Sequence, residues 1–142
     1  MMTPSRKPKE RVVRMRIMIF SRIQKNHDDL LQAIRELPEN RDGKLECFSR
    51  SDYDDVRRDL VKEPWDMVIV AEPGAYGMEV CIGIRKSSSK VALVWFTDDA
   101  AFAAQSYRLN CTYFSQLPVS RRTVEKAFAR MAEQQAMNCW KA

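Results

Sequence analysis

Two apolar runs constrain this chain more than anything else in it. They are Asp66–Ala71 (DMVIVA) and Val91–Phe96 (VALVWF). Each has the length of a strand, and apolar residues do not alternate with polar ones along it. A strand with one wet face alternates, whereas one covered on both faces reads as a continuous apolar run. The segment between them predicts a helix over Tyr76–Lys86, followed by a Ser87–Ser89 loop. Strand, helix and strand in that order make a parallel pair, because parallel strands need a crossover connection. The centre of the molecule is therefore expected to be a parallel sheet with helices on both faces.

The rest of the chain fits around that centre. Met15–Phe20 (MRIMIF) reads as a first strand. A helix follows, with Leu30, Leu31, Ile34 and Leu37 at three- and four-residue spacing, Asn26 as its cap, and Asp28 and Asp29 in its first turn. Pro38 ends it. Arg41-Asp42-Gly43 reads as a turn and Lys44–Arg50 as a second strand. Ser51 or Asp52 caps a second helix reaching about Lys62, with Val56 and Leu60 inward, and Pro64 stops it. After Thr97 come a short helix, Ala100–Arg108, and a short strand near Thr112–Ser115. A last helix spans about Ser120–Gln135, with Val124, Phe128 and Met131 inward. Five strands alternating with five helices predict an α/β fold, a doubly wound, flavodoxin-like parallel sheet. Right-handed crossovers leave 2-1-3-4-5 as the natural strand order.

The chain has 142 residues, 45% of them apolar and 30% charged, which suits one globular domain. No apolar run approaches the roughly 18 residues of a membrane span. The run after the charged leader, Ile17–Phe20, is too short for a signal peptide. A cytoplasmic location and no membrane association are the expectation. The net charge of +5 is concentrated: residues 1–16 hold six basic residues against Glu10, and the remainder holds 18 basic and 18 acidic. The expected organisation is a basic flexible arm at 1–14, a domain at 15–136 and a tail at 137–142. Arg6, Lys7, Lys9 and Arg11 in the arm are the residues for salt-sensitive nucleic-acid contact, the alternative reading of this chain. A neutral body argues against that as the main activity.

No Cys-x-x-Cys pair exists among Cys47, Cys81, Cys111 and Cys139, and His27 stands apart from them, so no metal site is expected. His27 reads as a surface residue. Four glycines, at 43, 74, 77 and 83, do not make a phosphate-binding loop, and no cofactor is expected. No nucleophile–base pair can be assembled, which argues against an enzyme.

The stretch Thr97–Phe128, TDDAAFAAQSYRLNCTYFSQLPVSRRTVEKAF, resembles one family without a gap. It is similar to the receiver domains of two-component response regulators, most closely the LytTR-associated class. That class reads something like T-A-Y-x-E-Y-A-L-E-A-F-E-V-N-A-L-D-Y-L-L-K-P before its last helix. Thr97 falls on the family threonine, Tyr107 on the phenylalanine, Leu109-Asn110 on Val-Asn, Phe114 on the switch aromatic and Pro118 on the proline. The resemblance covers about residues 15–131. It implies phosphoryl transfer to an aspartate beside Mg²⁺. That chemistry needs an acidic pair after the first strand, an acceptor after the third, a Ser/Thr after the fourth and a lysine after the fifth.

The chain departs from the family at nearly every one of these positions. The acidic pair falls on Ser21 and Arg22. The acceptor falls on Ala71, beside Glu72, or on Ile69 if the Pro73-Gly74-x-x-Gly77 loop sets the register. The lysine falls on Leu117, and Thr97 alone remains. The losses are consistent with one another, since a lysine facing no carboxylate is a costly buried charge that leucine removes. Arg22 stands where Mg²⁺ would sit, within reach of Glu72 or Asp66. Glu72 reads as a loop carboxylate or as a fixed mimic of a phosphorylated acceptor. Thr97 reads as a backbone or helix-cap partner. The resemblance also implies an interaction face on the fourth helix, fifth strand and fifth helix: Tyr107, Arg108, Tyr113, Phe114, Arg121, Arg122, Glu125 and Lys126. The expected function is a phosphorylation-independent pseudo-receiver. Its partners would be a regulator, a kinase, another receiver or a second copy of itself.

Overall fold

A computed structural model describes residues 14–141. Five strands form a single parallel sheet in the order β2-β1-β3-β4-β5. They are β1 (Met15–Phe20), β2 (Leu45–Arg50), β3 (Met67–Ala71), β4 (Ala92–Thr97) and β5 (Tyr113–Gln116). The helices are α1 (Gln24–Arg35), α2 (Tyr53–Lys62), α3 (Gly74–Ser87), α4 (Ala103–Arg108) and α5 (Arg121–Lys141). The doubly wound α/β architecture and its strand order agree with the sequence reading.

The absence of alternation in β3 and β4 is explained by two separate cores. Ile17, Ile19, Met67, Ile69, Ala71, Val94 and Phe96 face α1 and α5, meeting Leu30, Ile34, Val124 and Phe128. Met18, Phe20, Val68, Val70, Leu93 and Trp95 face the other way, onto Val56, Val80, Cys81 and Ile84 of α2 and α3. Successive residues of a strand point to opposite faces, so a strand buried on both sides must be apolar throughout.

Several element ends differ from expectation. Gly74 starts α3 two residues early, because its left-handed φ of 73° lets the chain turn straight into the helix. A turn of 3₁₀ helix, Ala100–Phe102, precedes α4. Asp52 is the cap of α2, accepting from the Asp54 amide at 2.9 Å, and Pro64 lies just beyond its end. The last helix runs six residues past Gln135 to Lys141. Asn26 does not cap α1; the helix begins at Gln24, and Asn26 is buried on its inner face. His27 is likewise buried, at 4% exposure, and is not a surface residue.

The six basic residues of 1–16 divide where the fold begins. Arg14 and Arg16 belong to the fold. Arg14 pairs with Glu46 at 3.6 Å. Arg16 pairs with Glu63 at 2.7 Å, and its guanidinium lies 4.3 Å from the Trp65 ring and 4.8 Å from that of Phe48. Residues 14–141 then hold 20 basic and 18 acidic residues, so the body is mildly basic. Arg6, Lys7, Lys9 and Arg11 lie outside the described residues.

Candidate functional site

The carboxyl ends of β1, β3 and β4 form the crevice where doubly wound sheets place their chemistry. Ser21 follows β1 and is fully buried. Its hydroxyl accepts from the Ile23 amide at 3.0 Å and the Asn26 side-chain amide at 3.2 Å. This replaces a side-chain cap at the start of α1. Asn26 also donates to the Ala71 carbonyl at 3.0 Å, tying the end of β1 to the end of β3. The His27 Nε2 lies 2.8 Å from the Ser21 carbonyl. A carbonyl can only accept, so Nε2 carries the proton. Nδ1 is buried without a partner among the described residues.

Glu72 is the carboxylate of this crevice and is 1% exposed. A buried carboxylate is stable only when paired and hydrogen-bonded. Arg22 supplies the whole set. Its backbone amide donates to Oε1 at 2.8 Å, its Nε to Oε2 at 2.8 Å, and its Nη2 lies 2.8 Å from Oε2. The guanidinium lies 4.0 Å from the centre of the Tyr76 ring, a cation–π distance. Asp66, the other partner open to Arg22 in the sequence, is at the opposite end of β3 and accepts from the Arg16 amide at 2.8 Å. Glu72 is thus a buried, paired carboxylate in the loop at the end of β3.

Ala71 is fully buried and carries no reactive group; Ile69 lies two residues further back in the same strand. Thr97 is fully buried, and its hydroxyl donates to Asp98 Oδ1 at 3.3 Å. It does not cap the following turn. Asp99 does that, accepting from the Ala101 amide at 2.8 Å. The sequence reading passed over Asp98, whose Oδ1 also accepts from the Gly74 amide at 2.9 Å and so joins the β4 end to the start of α3. Leu117 packs against the α1/α5 core, next to a cis peptide bond with Pro118.

The receiver resemblance implies a Mg²⁺ site here, and the residues do not fit one. Ser21 and Arg22 bring no carboxylate, and Glu72 gives one oxygen to the Arg22 backbone amide and the other to its guanidinium. Among the described residues no three His, Cys, Asp or Glu side chains converge on a point. A cavity of about 780 Å³ lies at the other end of the sheet, among Asp66, Arg85, Lys90, Thr112, Met131 and Gln134, and touches none of the predicted site residues.

The predicted interaction face divides in two. Tyr107 is 87% exposed, Arg108 is exposed beside it, and Tyr113 and Phe114 are half-buried in β5. Phe114 meets Trp95 edge-on at 5.3 Å, and Phe102 stacks on the same indole at 5.5 Å. Tyr113 points to the opposite core, against Phe96. Arg121 turns away from this face. It bonds Glu125 at 3.2 Å and approaches Glu36 of α1 at 3.7 Å, which puts Arg121 at the α1–α5 seam. Arg122 and Lys126 are exposed and make no ion pair among the described residues.

No protein-family model and no curated protein matches the chain. Solved structures do match it. A CheY-like response regulator receiver domain protein from Methanospirillum hungatei superposes with a TM-score of 0.69 at 16% identity, over 87% of this chain and 98% of that one. The REC domain of AraT, a response regulator from Geobacillus stearothermophilus, gives 0.70 at 12% identity, over 87% and 97%. A response regulator receiver domain protein from Clostridium thermocellum gives 0.66 at 19% identity, over 87% and 98%. The fold is that of receiver domains. Similarity at these identities shows the fold alone.

Proposed function

We propose that this chain is a receiver-like interaction module in signalling or transcriptional regulation that works without phosphoryl transfer. The Arg22–Glu72 pair carries the reading. It fills the crevice with a finished ion pair where the resemblance implies a metal and a phosphoacceptor. Leu117 in the position of the family lysine and an apolar residue, Ala71 or Ile69, in that of the acceptor agree with it. The gapless register of Thr97–Phe128 supports a LytTR-associated origin. The module is non-catalytic and needs no cofactor. Its partner is a regulator, a kinase, another receiver or a second copy of the chain.

The contact surface is the face around Tyr107, Arg108, Phe114, Arg122 and Lys126. Tyrosine and arginine are enriched among residues that dominate binding energies, and Tyr107 is nearly fully exposed. The test compares capture of partners by the full chain, by a chain lacking residues 1–13 and by Tyr107→Ala, at low and high salt. A stoichiometric protein that survives salt and arm removal and is lost with Tyr107→Ala supports the module. Nucleic acid that disappears with salt or with the arm, and no protein, overturns it in favour of nucleic-acid association through Arg6, Lys7, Lys9 and Arg11.

A further inference from the structure

We infer that Arg22 is a tethered cation: its guanidinium does for Glu72 what a bound divalent ion does for a carboxylate cluster, and so closes the crevice to such an ion. The inference rests on the reading above and adds how the site is held. Three segments meet at the pair. Arg22 lies between β1 and α1, Glu72 between β3 and α3, and Tyr76 in the first turn of α3. All three contacts from Arg22 to Glu72 are 2.8 Å, and the Tyr76 ring lies 4.0 Å from the guanidinium. Asp98, another carboxylate on this rim, is held by the Gly74 amide. The loops therefore gain their charge balance from the chain itself and need no dissociable ion.

The two partners are unequally buried, which makes the inference testable. The side chain of Glu72 is 2% exposed and that of Arg22 is 53% exposed. Truncating Arg22 opens a path from solvent to a carboxylate that cannot reach water by itself. A small free cation should then enter and take the place of the guanidinium.

The experiment is thermal unfolding of the full chain as native protein, Arg22→Ala, Glu72→Gln and the double variant. Each is measured with millimolar MgCl₂, with millimolar ethylguanidinium chloride, and with NaCl at matched ionic strength. A ligand that binds only the folded state raises the midpoint by mass action. Arg22→Ala should lose stability and regain several degrees with either cation. The native chain, Glu72→Gln and the double variant should show no cation-specific shift. A native chain whose midpoint rises with Mg²⁺ overturns the inference, and so does an Arg22→Ala chain that ignores both cations. If Arg22→Ala does not fold, Arg22→Gln takes its place, since its longer side chain keeps some packing on Tyr76. Failure of the native chain to capture any protein through Tyr107, with cation rescue intact, would sink the proposed function and leave this inference standing; the reverse pattern would do the opposite.

Discussion

Two glycines of α3 make opposite predictions from the same substitution. In a helix interior, alanine is more stable than glycine by about 1 kcal/mol. On propensity alone both Gly77→Ala and Gly83→Ala should stabilise. A Cβ on Gly77 would collide with the Glu72 carbonyl oxygen, with the carbonyl carbon at 3.1 Å and the Glu72 Cβ at 3.3 Å. The oxygen and carbon belong to a backbone held on one side by the Glu72 amide bond to the Phe96 carbonyl (3.1 Å) and on the other by the Arg22 pair. Neither α3 nor that loop can yield cheaply. Overpacking costs about 1–3 kcal/mol where side chains can adjust, and backbone against backbone belongs at the upper end. Gly77→Ala should therefore lose about 2 kcal/mol net. For a chain of this size that is roughly 7 °C in Tm. A Cβ on Gly83 meets the phenol end of Tyr53, with Cζ at 2.7 Å, so a side chain and not backbone must shift to make room. Gly83→Ala should change stability by less than about 1 kcal/mol, with either sign, the helix gain offsetting the displaced ring. Urea and thermal unfolding of both variants, side by side, measure the difference. A Gly77→Ala chain at least as stable as Gly83→Ala would refute the argument that the Glu72 carbonyl fixes that position.

Three further outcomes are expected. Arg85 donates to the carbonyls of Leu109 (2.8 Å), Val91 (2.8 Å), Ser88 (3.2 Å) and Asn110 (3.2 Å), so Arg85→Met should cost about 3 kcal/mol in urea unfolding. Hydrogen bonds from Arg50 and then Arg58 hold the Asp59 carboxyl below its ordinary range. A depressed pKa adds stability that is present above the unfolded value and lost as pH falls through the folded one, so stability should drop below about pH 4, and Asp59→Asn should flatten that part of the curve in acid titrations followed by circular dichroism. Burial pushes Cys47 up to about 11, Cys111 up to about 12, and Cys81 well above the usual thiol range. Mass spectrometry after iodoacetamide treatment near pH 8 should find all three unmodified in the folded chain, because the thiolate is the reactive form.

The fold was legible because its strongest signal is local. A run such as MVIVA is either covered on both faces or not a strand, and the two separate cores are what that pattern requires. The crevice was legible only as a set of substitutions. The resemblance placed Ser21, Arg22 and Leu117 and left the acceptor open between Ala71 and Ile69, but the Arg22–Glu72 geometry joins residues 50 apart in the chain. Polar residues misled for the same reason. Asn26 has the composition of a cap and His27 that of a surface residue, yet both are buried because their partners are carbonyls of Ala71 and Ser21, which a linear reading does not bring near. The contact of Arg121 with Glu36 of α1 was not legible, because helical spacing gives relative phase and not the neighbour. Asp98 has no signal in the sequence: its value lies in meeting a backbone amide 24 residues earlier.

The ring cluster around Trp95 gives the molecule an optical indicator. The indole is fully buried, lies between Phe102 and Phe114, and has no acceptor for its N–H among the described residues. Its emission should sit at the blue end of the tryptophan range, apart from that of half-buried Trp65. Any swing of the Phe114 ring would remove one wall of this apolar box and shift the colour. With Trp65 and Trp140 replaced by phenylalanine, one fluorescence spectrum would then report whether β5 keeps its aromatic in place when a partner arrives.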